Sequence, residues 1–249
     1  MNEINIISSD ARYDALYERL RQGGYSCKLC NINDDMDCRI LILPIKSTLT
    51  DEELSSILRR IKSDALVFSG ESERVKRYFN GAIVDYTLDE KFIDANAYIT
   101  AECSIALAQI DSKRTMRGAK VAIIGYGRIG KHLTRLLIGM GAEVYVLARR
   151  EGSRAEAEMA GAFALGIDGI NEKRYDLIFN TVPSKIITRS QSDKIPRNTI
   201  TYDLASLPGG FEDDAFPKRA LALPGKMMPK SAGEAIFDFV ERYFSNERK

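Results

Sequence analysis

One segment, Gly118–Arg150, constrains the fold of this 249-residue chain more than any other. Within it, the short apolar run Lys120–Ile124 is typical of a strand and leads directly into the glycines Gly125, Gly127 and Gly130, after which a helical pattern begins. The first glycine allows a tight turn, the second lets a pyrophosphate approach the backbone, and the third lets the helix pack closely. Because they stand between a strand and a helix, these glycines predict a dinucleotide-binding turn rather than a ligand-free loop.

The residues after the glycines complete a βαβ unit. Apolar side chains recur at helical spacing, and we expect that face to be buried; they are Ile129, Leu133, Leu136 and Leu137. A Gly-Met-Gly segment ends the helix before a second predicted strand at residues 143–147. We expect the unpaired amides at the start of the helix to face the phosphates, where the helix dipole favours negative charge.

The end of that second strand bears on the choice of cofactor. An NAD site usually has an acidic residue there for the ribose 2′-hydroxyl, whereas this chain reads Ala148-Arg149-Arg150. A carboxylate would repel a 2′-phosphate, and guanidinium groups hold one through forked, charge-assisted hydrogen bonds. The sequence therefore predicts NADP rather than NAD, with Arg149 as the main contact and Arg150 or Ser153 in support. A solvated basic turn is the alternative.

Composition argues against several classes of partner. Lysine plus arginine number 36 and aspartate plus glutamate 35, so the net charge favours neither nucleic acid nor an anionic membrane surface. No apolar run is long enough to span a bilayer, and the first residues do not resemble a signal peptide. We therefore expect a cytoplasmic protein, large enough for two domains.

The four cysteines could suggest a metal or redox site, because Cys27 and Cys30 have the CxxC spacing. Only Cys38 lies near them, whereas a zinc ribbon needs a second pair, and the CxxC pair falls in a predicted strand whose side chains alternate between faces. We expect reduced, structural thiols, Cys103 included, and no metal.

The first hundred residues predict a smaller α/β domain of flavodoxin-like type. Strands and helices alternate there, which implies a parallel sheet covered on both faces. The predicted strands are residues 4–8, 25–30, 39–43 and 65–68, and the predicted helices are one that ends at Gly23 and one at residues 51–61. Ligands gather at the carboxyl ends of such strands. Those ends supply Ser9, Asp10, Arg12, Pro44, Lys46, Ser47, Thr48 and Ser69.

The remaining elements define the predicted domain boundaries. A helix is predicted at residues 96–110, with Thr100 as its N-cap. A short last strand is predicted at residues 221–223, and a final helix opens with a capping box at Ser231, packing on the first domain or on a neighbouring protomer. The predicted parts are residues 1–111 (N-terminal domain with the linking helix), 112–228 (Rossmann domain) and 229–249 (C-terminal helix).

The inventory of catalytic groups is narrow. The only histidine, His132, falls on the helix after the glycines, where we expect a surface or packing role. A 2-hydroxyacid dehydrogenase needs a histidine acid-base beside its substrate, and Ser-His or Cys-His nucleophilic systems also need one. The chemistry that remains is proton transfer by a lysine, a carboxylate or a hydroxyl beside a hydride acceptor.

Several segments are more specific than the glycine fingerprint. They read NAYITAECSIALA from Asn96, NTVPSKII from Asn180, YDLASLPGGFE from Tyr202 and ALALPGKMMPKSAGEAI from Ala220. Together with the fingerprint they resemble the family formed by the A subunits of dipicolinate synthase. The positions that match are Asn96, Thr100, Glu102, Asp203, Ser206, Pro208, Gly209, Gly210, Pro224, Gly225, Pro229 and Gly233. The resemblance implies NADP-linked oxidation of dihydrodipicolinate to the spore dicarboxylate dipicolinate, usually together with the B subunit of dipicolinate synthase.

The chain departs from that family's pattern on the predicted substrate side. Ser8 and Ser9 replace glycines, Ile99 replaces a proline and Cys103 replaces a glycine. The N-terminal domain also looks shortened.

The candidate site residues follow from chemistry and from the resemblance. A cyclic dicarboxylate needs at least two cationic anchors, and Arg12, Lys46 and Lys226 are predicted in loops that face one crevice. Glu102 and Asp203 are the carboxylates available to take a proton, although either could be a helix-end or turn residue. The predicted substrate-binding set is Arg12, Lys46, Ser47, Asn96, Ser206 and Lys226. The predicted cofactor-binding set is Gly125, Tyr126, Gly127, Arg128, Ile129, Gly130, Ala148, Arg149, Arg150, Asn180, Thr181, Val182, Pro183 and Leu204.

Two other functions stay open. Asn180-Thr181-Val182-Pro183 resembles the Asn-x-x-Pro loop of the shikimate-type, lysine-dependent NADP dehydrogenases. A non-catalytic, NADP-binding regulatory protein would also fit a chain without a catalytic histidine. In each case we expect a homo-oligomer.

Overall fold

The computed structural model describes residues 3–247, which divide into two α/β units. The N-terminal unit contains the residues up to Asn96 together with those from Pro224 onward, and the second unit is Ala97–Leu223. The division thus falls inside the linking helix and before the predicted boundary at residue 229. The N-terminal unit is discontinuous in sequence, and the second is one continuous segment.

The N-terminal unit contains a five-stranded parallel sheet. Its strands are β1 (Ile4–Ile7), β2 (Cys27–Cys30), β3 (Ile40–Ile42), β4 (Leu66–Ser69) and β5 (Ala82–Asp85). The intervening helices are α1 (Ala11–Gln22), α2 (Asp51–Arg60) and α3 (Ser72–Val75), and a 3₁₀ turn covers 86–88. The strand order β2-β1-β3-β4-β5 is that of flavodoxin-like folds, so the predicted fold type is confirmed.

Two apolar layers cover this sheet. The layer on one face includes Leu54, Ile57 and Leu58, which are buried because α2 turns its apolar side toward the sheet. A full capping box at Thr50 starts this helix. The other layer joins α1 to α9 (Pro229–Glu247), whose Phe239 packs edge-on against the ring of Phe68 with centroids 6.0 Å apart. Each such aromatic contributes about 1.5–3 kcal/mol by burial, so α9 is part of this core.

The second unit contains the predicted βαβ unit and a six-stranded parallel sheet. Its strands are β6 (Lys120–Ile124), β7 (Glu143–Leu147), β8 (Phe163–Leu165), β9 (Leu177–Asn180), β10 (Ile200–Asp203) and β11 (Lys218–Arg219). The helices are α4 (Glu90–Ser112), which begins in the other unit, α5 (Arg128–Gly139), α6 (Glu151–Met159) and α7 (Arg189–Ser192), with a 3₁₀ turn at 167–171. The order β11-β10-β9-β6-β7-β8 is that of a Rossmann fold, as predicted.

Three predicted element boundaries are wrong. Thr100 is not an N-cap but lies buried inside α4, which begins earlier because the Asp89 carboxylate accepts a hydrogen bond from the Phe92 amide at 2.6 Å. Residues 221–223 are not a strand, because the last strand is β11 and Leu223–Met227 forms the short helix α8. Ser231 is not the cap of the final helix, which begins at Pro229, a residue favoured in the first helical turn.

The cysteines are unpaired in the structure. Cys27 and Cys30 pack against opposite faces of the N-terminal sheet, as their alternation along a strand predicted. Within residues 3–247, no group of histidine, cysteine and carboxylate side chains is placed to hold a metal ion. None of the described helices is both long and apolar enough to cross a membrane.

Candidate nucleotide-binding site

The glycine turn after β6 has the geometry that its sequence predicts. Gly125 has a φ of +92°, and a Cβ there would lie 2.5 Å from Val182 Cγ2. A Cβ on Gly130 would lie 2.4 Å from the Gly125 carbonyl oxygen, so only glycine lets α5 start so close to the turn. Gly127 instead faces open space, with nothing within 4 Å of an added Cβ, and this opening is the approach that a pyrophosphate needs.

A groove of about 530 Å³ lies at the carboxyl edge of the sheet, beside this turn. Its lining comes from the glycine turn, the end of β7, the start of α6 and the loop after β9. The lining residues are Gly125, Tyr126, Gly127, Leu147, Ala148, Arg149, Arg150, Ser153, Ile167, Thr181, Val182, Pro183 and Ile186. The structure therefore brings together nine of the predicted cofactor residues and Ser153. Sequence reasoning missed Leu147, Ile167 and Ile186, apolar residues with no motif to mark them.

Five predicted cofactor residues lie outside this lining. Arg128, Ile129 and Gly130 form the first turn of α5, and Ile129, like Leu136 further along, is only half-buried. Asn180 at the end of β9 and Leu204 just after β10 are buried, and the Leu204 amide donates to the Asn180 carbonyl at 2.9 Å. Their positions suit them to support the lining loops rather than to contact a nucleotide directly.

The basic turn after β7 presents two exposed guanidinium groups. Arg149 and Arg150 side chains make no hydrogen bond or ion pair with any other residue in 3–247. The backbone of this turn is held from behind by Arg154, whose Nη1 donates to the carbonyls of Ala148 at 2.9 Å and Arg149 at 2.8 Å. The turn is thus ordered while its two cationic side chains stay available to an anion.

Asp203 is the centre of a buried polar network at the carboxyl ends of β9 and β10. Its side chain is 1% exposed, and Oδ1 accepts from Asn180 Nδ2 at 2.7 Å and from the Ala205 amide at 3.1 Å. Its Oδ2 accepts from the Gly210 amide at 3.0 Å and from Arg219 Nη1 at 2.8 Å. Four donors, one of them a balancing cation, occupy this carboxylate. That geometry argues against the prediction that Asp203 takes a proton from a substrate, and supports the turn role.

The same network explains the glycines of the LASLPGG segment. Gly209 has a φ of +81°, and a Cβ there would lie 2.0 Å from Arg219 Nη1 and 2.4 Å from Asp203 Oδ2. A Cβ on Gly210 would lie 2.4 Å from Asn180 Nδ2. The turn therefore closes directly on the ion pair, and it presents Ser206 as an exposed residue. Arg219 had no motif to mark it, and sequence reasoning missed it.

Glu102 and His132 belong to the same unit. Glu102 is half-buried on α4 and, within the described chain, has no hydrogen-bond or ion-pair partner. His132 packs edge-on against Tyr98, with ring centroids 5.4 Å apart, which is consistent with the predicted packing role. Of the two predicted carboxylates, Glu102 is thus the one with lone pairs available for a proton.

Arg12 forms a separate cationic centre in the N-terminal unit. It is 8% exposed, and its Nε donates to Asp10 at 2.8 Å, while its Nη atoms have no hydrogen-bond acceptor within residues 3–247. A Cβ on Gly225 would lie 2.4 Å from Arg12 Nη2, so the glycine leaves room for the guanidinium. Lys226, the next residue, is exposed in α8.

The other predicted substrate residues are less closely grouped. Lys46 is exposed, and the Ser47 hydroxyl accepts from the Leu49 amide at 3.0 Å, so this serine shapes its own loop. The Ser47 amide donates to Glu71 at 2.9 Å. Asn96 is half-buried in α4.

The fold and the groove define the class, a two-unit α/β protein with a Rossmann domain and an open groove at its glycine turn. The family comparison adds a dehydrogenase-like role. Residues 90–194 match the family model of the D-isomer specific 2-hydroxyacid dehydrogenase NAD-binding domain. A nicotinamide dinucleotide is therefore the cofactor class that this domain supports.

Individual relatives give a more specific comparison than the family model does. The chain is 27% identical to the A subunit of dipicolinate synthase from Bacillus subtilis (strain 168), over 91% of this chain and 85% of that protein. The crystal structure of the corresponding A subunit from Bacillus halodurans superposes with a TM-score of 0.80 at 24% identity, covering 97% of each chain. That of the Bacillus subtilis A chain gives 0.79 at 24%, covering 98% of this chain and 96% of the other. The chain is thus similar to the dipicolinate synthase A subunits, and the predicted resemblance is confirmed.

Proposed function

We propose that this chain is an NADP-dependent oxidoreductase that oxidises dihydrodipicolinate to dipicolinate, acting as the A subunit of a dipicolinate synthase in the cytoplasm of a spore-forming cell. The observation that carries the proposal is the similarity to the A subunit of Bacillus subtilis dipicolinate synthase along 91% of the chain. It is supported by the groove, because the lining unites a glycine turn open at Gly127 with two cationic side chains at the place of the ribose.

The residues around the groove fit a nicotinamide dinucleotide. The Gly125–Gly127 turn and the start of α5 would hold the pyrophosphate, and Leu147 with Ile167 offers an apolar surface for the adenine. Arg149 and Arg150 would hold a 2′-phosphate, which favours NADP over NAD. The loop Thr181–Pro183 would lie along the nicotinamide ribose. When bound, the cofactor supplies the hydride acceptor.

Arg12 suits one carboxylate of the substrate. Its Nη atoms are unengaged among the described residues, while Asp10 fixes the guanidinium through Nε. A guanidinium held in this way loses little further entropy on binding a carboxylate and can form a forked pair with it. Lys46 and Lys226 are the other proposed anchors, with Ser47, Asn96 and Ser206 as polar contacts. A dianion is therefore the substrate class that these residues suit.

Glu102 is the proposed proton acceptor. Oxidation of the dihydropyridine ring removes one hydride and one proton, and the ring becomes aromatic. Because aromatisation supplies much of the driving force, the protein needs chiefly to orient the ring and to accept a proton. Glu102 has an unengaged carboxylate, whereas the Asp203 carboxylate already accepts four hydrogen bonds. We assign Asp203 the support of the Leu204–Pro208 turn.

The decisive experiment uses the purified chain, alone and with a candidate B subunit of dipicolinate synthase, together with enzymatically generated dihydrodipicolinate and either NADP or NAD. We expect equal yields of NADPH and dipicolinate, and a weaker reaction with NAD. Arg12→Ala should lower kcat/KM by roughly 10–100-fold through the loss of charge-assisted hydrogen bonds, and Glu102→Gln should lower kcat. Arg21→Ala on the same helix as Arg12 and Glu172→Gln on the surface are controls. If NADPH does not exceed the spontaneous oxidation background in any combination, the proposal is wrong.

The shikimate-type alternative is favoured by one feature, the Asn180–Pro183 loop, and it predicts turnover of a hydroxy acid without a partner protein. In this structure the Asn180 amide group already donates to Asp203 and to the Val182 carbonyl at 3.0 Å. It is therefore less available to a substrate. A non-catalytic regulatory protein would bind NADP and give no substrate-dependent NADPH, whether or not the B subunit is added.

A further inference from the structure

Arg154 differs from the other cationic residues at the groove, because its guanidinium faces the protein backbone rather than the opening. It lies on α6 and is half-buried. Its Nη1 donates to the carbonyls of Ala148 and Arg149, at 2.9 and 2.8 Å. Its own amide donates to the carbonyl of Arg150 at 3.2 Å. One residue thus engages all three consecutive carbonyl oxygens of the basic turn.

The direction of these carbonyls matters for an anion. A carbonyl oxygen is the negative end of the peptide dipole, and an oxygen that faced the groove would repel a phosphate there. Arg154 draws the Ala148 and Arg149 oxygens toward α6 and compensates them with a positive charge. The side chains of Arg149 and Arg150 remain exposed and, among the residues that the structure describes, unpaired.

The helix that carries Arg154 also contacts the glycine turn and α5. Lys131 of α5 forms an ion pair with Glu156 at 2.6 Å, and the Tyr126 hydroxyl donates to the Glu156 carbonyl at 3.4 Å. Tyr126 lines the groove, so α6 is tied to the pyrophosphate side as well as to the basic turn. Arg154 therefore lies on a helix that contacts both the basic turn and the glycine turn.

We propose that Arg154 is a positioning residue that sets the preference for a 2′-phosphorylated nucleotide. Its side chain holds the carbonyls of Ala148 and Arg149 away from the phosphate and leaves the side chains of Arg149 and Arg150 to bind it. This inference rests on the NADP preference of the proposed function. It adds a residue that acts through the backbone, without touching the nucleotide itself.

The test measures Kd for NADPH and NADH by nucleotide fluorescence, with 2′,5′-ADP and 5′-AMP as competitors, on the intact chain. Arg154→Met keeps the length of the side chain and removes its donors. We expect it to weaken NADPH and 2′,5′-ADP by roughly tenfold, the effect of a lost charge-assisted hydrogen bond, and to change NADH and 5′-AMP by less than about twofold. Arg154→Lys, which keeps the charge and some donors, should recover part of the preference.

The control is Arg197→Met, which removes an exposed arginine at the opposite, amino edge of the sheet and should leave every Kd unchanged. If the wild type binds NADH as tightly as NADPH, the cofactor proposal itself is wrong, and this inference with it. If the wild type prefers NADPH and Arg154→Met keeps that preference, or weakens all four ligands equally, then the positioning role is wrong while the cofactor proposal stands.

Discussion

Removing the cation that balances Asp203 should destabilise the second unit far more than removing a neighbouring surface cation. The change is Arg219→Met, which deletes the Nη1 bond to Asp203 at 2.8 Å and the Nη2 bond to the Pro208 carbonyl at 3.2 Å. It leaves a carboxylate that is 1% exposed with three donors and no cation.

The magnitude follows from burial. Breaking a buried ion pair by removing one partner typically costs about 3–5 kcal/mol. Arg219 is 25% exposed at its side chain, and three donors still solvate the carboxylate, so we expect a cost at or just below the lower end of that range, about 2–3 kcal/mol. The adjacent residue of β11 offers a matched control. Lys218 pairs with Asp111 at 2.6 Å but is 61% exposed, and Lys218→Met should cost less than about 1 kcal/mol.

The assay is urea unfolding of both variants and the wild type, followed by circular dichroism, with nucleotide binding as a second readout for this unit. Two units need not unfold in one step, so the transition that saturating nucleotide shifts to higher urea is the one compared. The reasoning would be refuted if Arg219→Met cost no more free energy of unfolding than Lys218→Met.

Three further outcomes are expected. Gly125→Ala should lower both Tm and nucleotide affinity, because the φ of this residue is +92° and the added Cβ would meet Val182. Gly127→Ala should keep Tm and lower only the nucleotide affinity, and equal losses of Tm in the two variants would contradict this. Burial raises the pKa of the Cys38 and Cys103 thiols to about 11, so at pH 8 only about one in a thousand of these thiols is ionised. A thiol reagent should therefore modify half-buried Cys27 first in the native protein, and rapid reaction of Cys103 would contradict this. Hydrogen bonds from Lys218 and Tyr202 lower the pKa of Asp111 below its ordinary value. The stability that this carboxylate contributes is therefore present at neutral pH and is lost as the pH falls through the lowered pKa, and Asp111→Asn should flatten the acid limb of the stability profile.

The features that the sequence predicted well are local. The βαβ unit follows from glycine spacing, strand-type runs and helical periodicity within about thirty residues, and both sheets have the expected parallel order. The basic turn could be recognised because the residues that define it are adjacent in sequence. The start of α4 was missed because Asp89, its capping residue, precedes a polar stretch that does not look like an apolar helix.

The features that the sequence could not predict join distant segments. The sequence left Asp203 as either a proton acceptor or a turn residue. The structure favours the turn role, because Asn180, two backbone amides and Arg219, sixteen residues later, donate to its carboxylate. Sequence spacing does not mark such a pair, since the two residues lie on neighbouring strands. The apolar wall of the groove was missed for the same reason, because Ile167 and Ile186 lie in segments that are separate in sequence.

The interrupted sequence of the N-terminal unit bears on how the chain is made. Its core packs α1 against α9, so Leu16 and Leu20 share one apolar cluster with Ile236 and Val240. A ribosome must synthesise all of residues 97–223 before α9 exists. The second unit, by contrast, is one continuous segment. Domains generally fold as units during synthesis, with the N-terminal one first. In this chain the second unit is fully synthesised before the N-terminal unit has all of its residues.

Until α9 emerges, the side of α1 and of the N-terminal sheet that α9 covers is an open apolar surface, a period of exposure set by the translation of more than a hundred residues. Slow or interrupted translation would prolong that exposure and favour aggregation of nascent chains. A chain truncated before α9 should accordingly keep a foldable Rossmann unit while its first ninety residues depend on chaperones.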